Sequence, residues 1–215
     1  MSITAAKSAT VPEAMGSIPF ERFAGLGAIL AGVVHFLYAV AFVMVRRNAP
    51  ELGELLSALF LLLAGLLSML ALTGAYQRLQ KTDFAFSLWA LLLSSISTLG
   101  MAIHGGYDLA NAINPPASAN LDLPSQIDPR GLLTFGVMGI ALFVIAWLIG
   151  RSAVLPKGLG YLGYLLASLL VIIYLARLII LDPGHPILLG AVLVAGFAVN
   201  PVWYVWLGLA LWGRK

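Results

Sequence analysis

The sequence predicts an all-α fold, a polytopic membrane protein built as a bundle of six transmembrane helices with both termini cytoplasmic, and three observations carry that expectation. Of 215 residues, 61% are hydrophobic and only 10% charged, whereas about a quarter of the residues of a soluble domain carry charge. Six stretches, near 22–45, 52–76, 84–104, 131–150, 159–181 and 187–212, each supply the roughly 20 apolar residues that a hydrocarbon core about 30 Å thick requires. The cations are unevenly shared between the connections. Lys7, Arg22, Arg78, Lys81, Arg151, Lys157, Arg214 and Lys215 fall on the side of the termini, with Glu13, Glu21 and Asp83. Arg46, Arg47 and Arg130 fall opposite, with Glu51, Glu54, Asp108, Asp122, Asp128 and Asp182. Eight cations against three set the termini on the cytoplasmic side, by the bias of short cytoplasmic loops toward Lys and Arg. Arg46-Arg47, directly after the first span, is the one local vote for the reverse.

Each span must be a helix, because an isolated strand leaves its backbone unpaired in lipid. Residues 1–19 are small and polar and lack the apolar core of a signal peptide. They read as a flexible cytoplasmic segment ahead of a single domain covering 20–215. The first span carries Gly25, Ala28, Gly32, His35, Ala39 and Phe42 on one stripe, so His35 should face protein near mid-membrane. Pro50 opens the second span. The third carries Ser87, Ala90, Ser94, Ser97, Met101, His104 and Asp108, a polar seam that runs into the stretch MAIHGGYDLANAINPP. Small residues let helices approach closely in lipid, and polar side chains pair across the seam. Residues 105–130 are expected as one long extracytoplasmic loop, of the length usually found in lids and binding loops. Asp128-Pro129-Arg130 opens the fourth span and Leu155-Pro156 the fifth. The fifth places Gly160, Gly163, Ala167, Leu170, Tyr174 and Arg177 on one face, and Asp182-Pro183-Gly184 ends it. In the sixth, Pro201 cannot donate to Phe197 and should kink the helix. Asn200 is placed to satisfy freed backbone, and Trp203, Tyr204, Trp206 and Trp212 are expected as an aromatic belt at the cytoplasmic interface.

His104, Tyr107, Asp108, Arg177, Asp182 and His185 should gather at one level near the extracytoplasmic surface. An ionisable group within a membrane is costly unless paired, which matches Arg177 with Asp108 or Asp182. The plainer reading is an arginine that snorkels to the headgroups. His35, Ser97, Tyr174 and Asn200 are the polar groups set deeper. His35 either bonds a neighbouring helix or serves as axial ligand to a haem or other tetrapyrrole. His35 and His104 differ in depth by roughly 8–12 Å, too far apart to share one iron. A metal site from His104, Asp108, Asp182 and His185 has suitable ligand types. However, no HxxxH pair fixes two ligands on one face, as a seven-helix hydrolase of the ceramidase and adiponectin-receptor type would need. The absence of cysteine excludes thiolate sites and iron–sulfur clusters.

No nucleotide-binding or catalytic motif follows a strand, and the scattered cations form no nucleic-acid surface. NPVWY, Asn200–Tyr204, matches the NPxxY signature of rhodopsin-like receptors by letters alone. Only Asn200-Pro201 interrupts a span, so no inverted repeat is visible. From about residue 136 the chain reads GVMGIALFVIAWLIGRSAVLPKGLGYLGYLLA, then ends NPVWYVWLGLALWGRK. With Leu155, Pro156, Lys157, Leu159 and Gly160 at its turn, this C-terminal part resembles a widespread group of bacterial multi-helix integral membrane proteins with no assigned activity. The resemblance implies a bacterial inner-membrane bundle and nothing about site residues. The sequence thus leads to a protein that binds a small molecule or lipid, or serves as accessory subunit of a larger membrane complex, without an enzymatic centre. Its partners are then the bilayer and other subunits or further copies of itself. The alternatives are a small-solute transporter with Arg177 as counter-charge, and a histidine-ligated cofactor or metal-dependent membrane enzyme.

Overall fold

The computed structural model describes residues 20–115, 131–180 and 185–213. The segment 1–19, most of the expected loop (116–130) and Asp182 lie outside the described residues. The protein is all-helical, and six helices are long and apolar enough to cross a membrane: α1 (Phe20–Asn48), α2 (Pro50–Leu79), α3 (Phe84–Ile113), α4 (Leu132–Arg151), α5 (Lys157–Ile179) and α6 (Pro186–Trp212). Their ends follow the local chemistry. Ala49 is extended (φ −142°, ψ 83°) because Pro50 follows it. Asp83 caps α3 by accepting from the Phe86 amide at 3.2 Å. His185 does the same for α6, its Nδ1 accepting from the Ile187 amide at 3.4 Å.

The third helix departs from the sequence expectation, continuing more than two turns past residue 104 to Ile113. The glycines that suggested an ending are packing residues. A Cβ on Gly105 would stand 2.7 Å from the Ala58 carbonyl and closer still to the Leu62 amide, so the glycine lets α3 lie directly against α2. Termination waits for Asn114, held at φ −127°, ψ 83° ahead of Pro115.

The helices form a ring in sequence order. Each packs on its neighbour in the chain, and α6 closes the ring against α1. The alternation places the start of α1 and the ends of α2 and α6 at one face, where Arg78 of α2 meets Glu21 of α1 at 2.5 Å and donates to the Leu211 carbonyl of α6 at 3.5 Å. Outward surfaces are apolar and inner seams polar, the arrangement suited to lipid. On α3, Leu92, Ile96, Leu99 and Ile103 are more than half exposed while Ser87, Ser94, Ser97 and Thr98 are buried. The stripe on α1 is buried from Gly25 through Ala39, and only Phe42, 40% exposed, leaves it.

Toward the termini face the centre is solid, filled by Trp203, Tyr204, Leu207 and Leu211. Trp203 and Tyr204 therefore belong to the core and not to an interfacial belt, where only Trp206 and Trp212 are exposed. The indole needs no water, because Trp203 Nε1 donates to the Leu159 carbonyl of α5 at 3.1 Å. Trp203→Phe keeps most of the packing and loses this bond. A fall of about 1–3 kcal/mol is expected, seen as a lower midpoint of thermal unfolding in detergent micelles.

Candidate functional site

Toward the opposite face the ring does not fill. A cavity of about 200 Å³ lies between the six helices, α2 contributing Leu61 and α3 Met101, and is walled chiefly by Leu, Ile, Val, Met and Phe side chains. Three local distortions shape it. Ala41–Val45 in α1, Leu132–Val137 in α4 and Ala195–Val199 in α6 are π-helical turns, each with one residue more than the regular ladder holds. Such turns occur frequently at functional sites. Every one of the three lines the cavity: Phe42 and Val43 from the first, Thr134 and Phe135 from the second, Ala195 and Gly196 from the third. The turn in α6 sits immediately before Asn200-Pro201 and accommodates the missing proline amide. The other two have no proline to announce them, so the single interruption visible in the sequence becomes three in the structure.

Few polar groups reach this apolar space. His35, Tyr38, Thr134, Arg177, Asn200 and Tyr204 line it. His35 is buried, stacks on Tyr204 with ring centroids 4.9 Å apart, and its Nδ1 donates to the Ala31 carbonyl at 2.8 Å. Because that bond fixes Nδ1 as the protonated nitrogen, Nε2 is an acceptor in the neutral ring. Arg177, in the last turn of α5, stands at the rim with its guanidinium carbon 5.7 Å from the centre of the Phe135 ring, within the range of a cation–π contact. Phe42, Arg177 and Leu189 both line the cavity and are exposed, so it opens between the ends of α1 and α5 and the start of α6.

A second polar group abuts the same wall. His104 Nε2 lies 3.3 Å from Asp108 Oδ2, one turn further along α3, and its Nδ1 is 3.4 Å from Thr134 Oγ1. Thr134 thus joins the pair to the cavity. Asp108, one of the two carboxylates expected beside Arg177, contacts this imidazole, and the other, Asp182, lies outside the described residues.

The remaining sequence candidates divide clearly. Asn200 lines the cavity. Ser97 donates to the Leu133 carbonyl at 2.5 Å, a bond from α3 to the π turn of α4. Tyr174 packs its ring edge over Gly136. His185 is the cap of α6, and Tyr107 is exposed. Among the described residues no three His, Asp or Glu side chains come together to hold a metal ion. A tetrapyrrole on His35 does not fit either. The 200 Å³ of the cavity is little more than the roughly 150 Å³ that takes up a single benzene. Sequence reasoning missed Tyr38, Phe42, Thr134, Phe135 and Tyr204. Phe42 lies on the stripe that carries His35, Tyr204 falls in the NPVWY run, and Thr134 leaves a trace as a hydroxyl in register with Met138 and Leu142 at four-residue spacing.

No family model, no curated protein and no solved structure matches the chain. The geometry alone therefore carries the functional reading.

Proposed function

We propose that this chain is a non-enzymatic membrane protein that binds a small, largely apolar molecule or lipid in the cavity between its helices, with its termini on the cytoplasmic side of a bacterial inner membrane. The observation that carries the reading is the cavity itself. Its walls are mostly apolar, with a few polar side chains among them, and it opens at the surface beside Arg177, the build of a small-molecule site. Water is a poor occupant of so apolar a wall, whereas a molecule dissolved in lipid can come in through the gap beside Arg177. The closed core at Trp203, Tyr204 and Leu207 supports holding over passage, since transport needs access from both faces. The orientation rests on the eight cations at the termini side.

The test is native mass spectrometry of the protein extracted in a mild non-ionic detergent. A reproducible mass excess of one small molecule per chain, lost on delipidation and regained on adding membrane extract, is the expected result. A bare monomer that takes up nothing from the extract overturns the reading. A stoichiometric protein partner, again without a small molecule, would point to the accessory-subunit role instead.

A further inference from the structure

We infer that the ligand is an acidic amphiphile, whose carboxylate or phosphate head sits against Arg177 at the rim while its apolar chain runs inward toward His35 and Tyr204. This rests on the cavity reading and adds the chemical class of what is bound. Among the described residues of the lining, Arg177 is the one cation and none is a carboxylate. Among the described residues no carboxylate lies within ion-pair distance of it. Its guanidinium lies over the face of Phe135, which attracts the cation but accepts none of its hydrogen bonds. A guanidinium carries five N–H donors in a planar fork that fits carboxylate and phosphate oxygens two at a time. Tyr38 lines the same cavity and carries a hydroxyl donor of the right kind.

The dimensions suit a head at the surface and a tail below it. On α5, Arg177 and Leu170 bound the lining, seven residues apart and so about 10 Å along the axis. That reaches well into one leaflet of a core about 30 Å thick. Below the rim the walls are Met138, Leu142, Leu170, Ile173 and Val192, which offer a charged group no partner. A neutral apolar ligand would be indifferent to Arg177, and a cation would be repelled by it.

The experiment compares three single-chain probes of equal length, short enough for a lining about 10 Å deep, on the delipidated full chain in non-ionic detergent: octanoate, octyl phosphate and octanol, titrated by native mass spectrometry. The acids are expected to bind at least about tenfold tighter than the alcohol, the value of one or more charge-assisted hydrogen bonds. Arg177→Gln should bring acid and alcohol to parity without weakening the alcohol, and Arg177→Lys should keep part of the preference. Which acid binds tighter assigns the source, a free fatty acid or a phosphate-ended lipid. Equal binding of acid and alcohol by the unaltered protein overturns the inference and leaves the cavity reading standing, a result that needs no variant to fold. A preference that survives Arg177→Gln likewise overturns it, leaving Arg177 as a snorkelling side chain. No binding of any probe overturns both.

Discussion

Gly208→Leu is expected to destabilise the bundle by about 3 kcal/mol, the upper range for overpacking, and to broaden its elution from a sizing column. Gly190→Leu should change stability by no more than about 0.5 kcal/mol, as exposed substitutions usually do. The contrast comes from what a side chain would meet. At Gly208 a Cβ would lie 2.5 Å from the Gly25 carbonyl oxygen, and at Gly25 one would lie 2.9 Å from the Gly208 oxygen. Both obstacles are backbone, so neither can swing aside. Relief requires moving α1 away from α6, and that seam is the closure of the ring. Gly32 repeats the contact one step along, its Cβ position 2.7 Å from the Pro201 oxygen. Gly190, in contrast, has nothing within 4 Å, and it faces outward. In lipid there is no hydrophobic force to hold the helices against a clash, only close packing and polar contacts. Thermal unfolding followed by circular dichroism in micelles reads both variants. Equal losses at 208 and 190 would mean that α1 and α6 do not meet as described.

The spans were legible because hydrocarbon thickness imposes a length that composition alone reveals, and six apolar runs became six helices. Their inner faces were legible for a related reason: small residues and hydroxyls on one stripe have no use toward lipid. Gly25 through Ala39 and Ser87 through Met101 are buried accordingly. The end of α3 was not legible, because His104-Gly105-Gly106 reads as a break only until Gly105 is seen pressed against α2. Nor was the fate of the aromatics in α6. A tryptophan near a helix end suits an interface and a core equally, and the Leu159 carbonyl that settles Trp203 belongs to another helix. The cavity was the least legible of all. Its π turns depend on how helices pack, not on any local signal beyond Pro201, and its walls come from all six helices, which the sequence cannot bring together. Hence Arg177, His35 and Asn200 were singled out as polar residues in lipid, but Tyr38, Thr134 and Tyr204 were found only once the walls were assembled.

Val192→Trp is expected to abolish binding of an apolar ligand, lowering affinity by at least about a hundredfold, while the empty protein becomes more stable by about 0.5–2 kcal/mol, the usual range for cavity filling. Val192 lines the cavity on α6 between Leu188 and Ala195 and is partly buried. Its side chain packs against the core and also borders the cavity, so an indole there has space to extend into. The two opposite changes are what make the variant informative. If the substitution merely disrupted the fold, stability and binding would fall together. If the ligand bound elsewhere, on the lipid-facing surface, stability could rise while binding stayed as it was. Only an occupant of the cavity competes with the indole for the same volume. Ligand at a hundred times its Kd should stabilise the unaltered protein by about 2.7 kcal/mol through mass action. Val192→Trp should show no such shift at the same concentration. The melting midpoints of both proteins, with and without octanoate, therefore decide the matter: a ligand-induced rise that persists in the variant places the site outside the cavity.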